Sequence, residues 1–133
     1  VIWNGLNLER WFEKFFQKEA TDEIVHAQKI ADFLIGRNRT PYVDTLPNPE
    51  IGTPTTPLQW VQVAYAKAQV YTALILEVYK QCEIEKDADA CIFLMWYIEE
   101  QRRVDREHWD LITQLTRADC PAAQLILDQK VGA

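Results

Sequence analysis

The chain has 133 residues, 48% hydrophobic and 26% charged, which excludes a disordered tail and suits one domain, residues 1–133, with a real core. Twenty Asp and Glu against fourteen Lys and Arg leave a net charge of −6, and the pI is about 4.9, so nucleic acid and anionic membranes are poor partners. No apolar run approaches the roughly 18 residues of a membrane span, no signal peptide is legible, and Cys82, Cys91 and Cys120 match no disulfide or metal spacing, so a reducing intracellular compartment (cytoplasm or organelle) is expected rather than secretion.

Residues 1–7 read as a loop, with Asn4-Gly5 as a turn signal and Asn7 as the N-cap of a first helix. That helix is expected over about 8–35, with Gly36 as its stop. At about 100° per residue, Phe12, Phe16, Glu23, Ile30 and Leu34 fall within about 40° of one direction. Glu19 and His26 lie just across that line. The stripe that should face a core thus carries a carboxylate and an imidazole, in the set Glu23-Ile24-Val25-His26. Burying such groups is costly unless they are paired or bound to a metal. At i and i+3 they point the same way and can hold one cation, a spacing used in di-iron four-helix bundles.

Residues 37–57 carry Pro41, Pro47, Pro49, Pro54 and Pro57 and show no periodicity. A structureless connection that long makes sense if it crosses the length of a bundle and joins two parallel helices. Extended chain covers about 3.3 Å per residue, enough to pass a helix of about 40 Å. The second helix is expected over 57–83, with Thr56 as cap and Pro57 at its first position. Val61, Ala64, Ala68, Tyr71, Ile75 and Val78 form its stripe, and Leu58 to Leu76 holds no Asp or Glu. The third is expected over 88–116. Its stripe, Leu94, Ile98, Gln101, Asp105, His108 and Ile112, includes a second acid-x-x-His set, Asp105 with His108. Pro121 opens a short last helix over 121–130. No segment alternates with the period of a strand, so the fold is read as an all-α bundle.

Several segments in order resemble the ferritin family. Ala20–Ile30 is similar to the second ferritin helix with its Glu-x-x-His, and the Pro-rich stretch to the family's long crossover. Glu85–Gln101 is similar to the start of the fourth helix, and Ala122–Gln129 to the short terminal one. The resemblance implies a ferritin-like four-helix bundle, assembly into hollow shells, and oxidation and storage of iron. It also implies Glu23, His26 and Gln101 as metal ligands. The departures are part of the same reading. The family's first helix, with its carboxylate, has no counterpart, and another helix is needed to fill the bundle. The third-helix carboxylate position holds Ala68, with Gln69 beside it. Arg103 and Val104 stand at positions often acidic in bacterial ferritins, and Ile92 and Met95 where animal ferritins place acids at the iron-entry pore. One carboxylate, one imidazole and one amide are too few for two irons.

Two further readings follow. Glu19, Asp105 and His108, joined to the first three residues, form either a shifted metal site or a buried polar network with Lys67 as its cation. The expected function is an iron-binding or iron-storage subunit with weak or lost ferroxidase activity, in a homo-oligomer or larger assembly. The alternative is a metal-free homologue acting as a structural subunit of a multiprotein complex.

Overall fold

The computed structural model describes residues 2, 3, 6, 7 and 9–131, with side chains from 13 to 131. Four helices make the body: α1 (Glu9–Gly36), α2 (Pro57–Ile84), α3 (Ala88–Arg117) and α4 (Pro121–Val131). Ahead of them, β1 (Ile2–Trp3) and β2 (Leu6–Asn7) pair antiparallel, Ile2 with Asn7 and Trp3 with Leu6. The expected opening loop therefore contains a minimal hairpin. Its turn signal, Asn4-Gly5, lies outside the described residues. Asn7, expected as a helix cap, is spent on the ladder.

Local chemistry sets the helix ends. Thr56 is extended (φ −126°) and its hydroxyl accepts from the Gln59 N–H at 3.2 Å, while Pro57 occupies the first turn, where no N–H is missed. Asp87 caps α3 by accepting from the Ala90 N–H at 3.0 Å. The stop of α1 is not Gly36, which remains helical. The chain reverses at Asn38, at φ 58°, with the Arg39 N–H bonded to Leu34 O and the Asn38 N–H to Ile35 O. Asn tolerates the left-handed conformation this closure demands. Lys86 ends α2 the same way, at φ 58°, with the Asp87 N–H bonded to Cys82 O.

Contacts along the helices fix their directions. From one end of α1 to the other, Glu19 faces His108, His26 faces Glu100, Phe33 stacks on Phe93 (4.1 Å between ring centroids), and Arg37 reaches Asp87 at 2.6 Å. The partner numbers fall as those of α1 rise, so α1 and α3 are antiparallel. Tyr65 beside His108 and Thr72 beside Gln101 make α2 antiparallel to α3 as well. Hence α1 and α2 are parallel, and residues 37–56 run back along about 40 Å of helix, as their length predicts. The main apolar cluster is Val61, Leu111, Leu115, Ala118 and Leu127, joined by Phe15, Leu58 and Ile112. It lies at the end that α4 closes.

The buried line of α3 is Ala90, Leu94, Tyr97, Gln101, Val104, His108, Leu111 and Leu115, in steps of four and three. That is the seam of a helix with neighbours on two sides. It is rotated from the expected stripe, because Tyr97, Val104 and Leu111 bring more apolar area than Ile98 and Asp105. Asp105 consequently lies exposed, outside the core. On α1 the line with inward contacts is Phe15, Glu19, Asp22, His26 and Phe33, about 60° from Glu23. Glu23 keeps 47% of its side chain accessible. The physical reason is that Glu19, His26 and Phe33 lie against α3, while Phe15 packs into the cluster that α4 closes. Phe12, part of the expected stripe, lies outside the residues whose side chains are described.

Candidate functional site

His26 is 4% exposed and sits between two carboxylates. Glu23 Oε2 is 3.7 Å from its Nδ1, and Glu100 Oε1 is 3.7 Å from its Nε2. Trp96 and Tyr97 meet the imidazole edge-on at 5.5 and 5.4 Å between centroids. His26 Nδ1 is buried and has no hydrogen-bond partner among the described residues. A buried nitrogen without a partner is costly, and here it is directed toward the carboxylate of its own Glu-x-x-His pair. Beside it, burial pushes the Tyr97 hydroxyl up to about 12, helped by the charges of Glu23 and Tyr71. Gln101 is equally buried, at 3%, but its Oε1 is engaged from α2, 3.1 Å from the Thr72 hydroxyl. That hydroxyl also lies 3.0 Å from the carbonyl of Ala68.

The second acid-x-x-His set divides. His108 is 1% exposed and its Nδ1 lies 2.8 Å from the Val104 carbonyl oxygen. A carbonyl only accepts, so Nδ1 carries the proton, and Nε2 faces Glu19 Oε2 at 3.8 Å. Phe15 and Tyr65 line the imidazole. Burial raises the Glu19 carboxyl above its ordinary value, against the opposing pull of His108. Asp105 points elsewhere. It lies beside Tyr65 and lines an open cleft of about 720 Å³ between α2 and α3, with Gln69, Leu76 and Trp109. Glu19 and His108 thus come together, whereas Asp105 does not join them.

Between the two histidines runs a set of charges that the helical stripes did not single out. Lys18 Nζ is 2.9 Å from Asp22 Oδ2 and 3.6 Å from Glu107 Oε2. Arg103 binds Glu100 through Nε, at 3.1 Å, and through a second nitrogen. It also donates to Glu107 and reaches Asp22 Oδ2 at 3.6 Å. Lys18, Asp22, Arg103 and Glu107 therefore close a ring across α1 and α3. Arg103 is the chief reason Glu100 is held below the usual carboxylate range, and Lys18 the chief reason Asp22 is. The cations that reach these carboxylates are Arg103 and Lys18. The spacing of Glu100, Arg103 and Glu107, at i, i+3 and i+7, was the available signal.

These donors do not fit a two-iron centre. Among the described residues one carboxylate lies beside His26 Nδ1, Ala68 brings no side-chain donor to α2, and Gln101 is engaged by Thr72. Among the described residues no group of three or more His, Cys, Asp or Glu side chains is disposed to hold a metal.

Comparison with known proteins agrees with this frame. The family model for the ferritin-like domain matches residues 4–118. The chain is 28% identical over 120 residues to the soma ferritin of Lymnaea stagnalis, covering 90% of this chain and 69% of that one. It is 25% identical over 104 residues to a bacterial non-heme ferritin of Escherichia coli, spanning 62% of that protein's length. Among solved structures, the fold matches an open pore ferritin of the archaeon Archaeoglobus fulgidus with a TM-score of 0.87 at 24% identity, over 95% of this chain and 77% of the other. A ferritin of the green alga Ulva pertusa matches with a TM-score of 0.83 at 24% identity, over 92% of this chain and 65% of the other. With four helices, a full-length crossover and a retained Glu-x-x-His, matched by the family model over 115 residues, the chain belongs to the ferritin-like domain family.

Proposed function

We propose that this chain is a ferritin-type iron-storage subunit of a larger assembly, in which iron is cargo and the subunit's own ferroxidase chemistry is weak or lost. The observation that carries the reading is the split state of the inherited pair. His26 keeps a buried Nδ1 directed at Glu23, while Ala68 stands on α2 and Arg103 neutralises the carboxylates on the α3 side. One imidazole and one carboxylate suit a weak single-ion contact and not paired irons. Glu23, His26 and, further out, Gln101 are the residues that would meet iron. Glu19, half-buried, and the buried His108 serve as a facing pair.

Assembly is part of the proposal. Tyr71, Leu74 and Val78 of α2 are 49%, 51% and 50% exposed, and apolar area of that kind favours another helix or subunit over it. A reducing compartment suits the three free cysteines.

A second reading, a metal-free structural subunit, is favoured by Ile92 and Met95, which are 70% and 53% exposed where the family resemblance places acids. Native mass and metal content of the protein isolated from its source separate the two. A many-copy assembly carrying iron, with Fe(II) oxidation that is slow and is slowed further by Glu23→Ala, is the expected result. Fast oxidation abolished by Glu23→Ala would refute the weak-site reading, and a metal-free protein bound only to unrelated chains would establish the second.

A further inference from the structure

Arg103 is the group that most changes the character of this bundle. Its guanidinium contacts Glu100 through two nitrogens and Glu107 through a third, and it reaches Asp22 on the neighbouring helix. Three carboxylates from two helices thus converge on one cation. Lys18 closes the ring from α1 through Asp22 and Glu107. Glu100 also faces the buried His26, which links this ring to the imidazole. In a ferritin-like bundle, helix-to-helix carboxylate clusters suit a metal ion. Here the same electrostatic task falls to a planar, permanently charged side chain with five donors.

We propose that Arg103 is the resident cation of the α1–α3 seam, holding the two helices together as a bound metal would and closing the cluster to metal. The proposal stands whether or not the chain stores iron. It makes the seam independent of chelators and gives Arg103 a share in it beside Lys18 and the Arg37–Asp87 pair. It also implies that removing the guanidinium leaves Asp22, Glu100 and Glu107 facing one another without a counter-ion, a set of hard oxygen donors that a trivalent or divalent cation satisfies.

The test uses the protein in its native assembly and terbium(III) as the probe, with binding read by tryptophan-sensitised luminescence and stability by Tm. The parent protein should keep its Tm in EDTA and show no terbium-induced rise. Arg103→Ala should lower Tm by about 4–8 °C. It should also bind terbium at least about tenfold more tightly than the parent and recover most of the lost Tm on binding. Adding Glu107→Gln to Arg103→Ala should abolish the gain, whereas Arg103→Lys should show no gain. If Arg103→Ala is unfolded without metal, refolding on addition of terbium supports the proposal equally. A parent protein that gains as much from terbium as the variant, or a destabilised variant that terbium does not rescue, would overturn it.

Discussion

His26 is buried between two carboxylates, and the fate of those carboxylates depends on their other partners. Glu23 is half-exposed and faces His26, whereas Glu100 is claimed by Arg103. The depressed values of Glu100 and Asp22 make a pH prediction with a definite sign. A carboxyl whose folded value lies below its unfolded one stabilises the fold above the ordinary carboxylate range and loses that contribution as pH falls through the folded value. Glu19 runs the other way, since burial raises it and its neutral form is favoured at low pH. Tm should therefore fall as pH drops below about 4.5, driven by Glu100 and Asp22 and partly offset by Glu19. In Glu100→Gln the acid limb should be shallower, as measured by thermal unfolding across pH 3–7. An unchanged limb would place the acid sensitivity elsewhere.

At the scale of elements, both long helices that precede a reversal end on a residue in the left-handed region rather than on glycine. Lys86 pays for this with its Cβ, since left-handed backbone costs a non-glycine residue about 1–2 kcal/mol. Lys86→Gly should therefore stabilise the α2–α3 hairpin by about 1 kcal/mol, read from urea unfolding; a loss of stability would mean that its side chain contributes more than its backbone costs. The reversal matters to the site because Asp87, the next residue, both caps α3 and binds Arg37 at the end of α1. The register of α1 on α3, and so the meeting of His26 with Glu100, is held at this end by that pair.

At the scale of the whole molecule, the notable feature is apolar surface. Ile84, Ile92 and Met95, near the α2–α3 turn, are 73%, 70% and 53% exposed, and Leu74 and Val78 lie open along α2. Such area is costly in water at about 25 cal/mol per Å² and is recovered when subunits pack. The pair Ile92→Glu and Met95→Glu should shift the native mass toward smaller species in analytical ultracentrifugation. An unchanged mass would place these residues away from any subunit contact.

The helices, the crossover and the family were legible in the residues alone, because those depend on local rules: periodicity of apolar residues, proline and threonine at helix starts, and the reach of an extended chain. The sequence also singled out Glu23, His26, Gln101, Glu19 and His108. Which way each stripe turns was set by packing. A helix buries the arc its neighbours cover, and α1, resting on α3, turns His26 inward and leaves Glu23 at the edge. The same rotation on α3 sends Asp105 to the outer cleft and brings Glu100, Arg103 and Glu107 to the seam. Pairings such as Arg103 with Asp22 join residues eighty-one positions apart, and no local spacing encodes them. They exist because two antiparallel helices set one register, and in that register a guanidinium meets carboxylates from both helices.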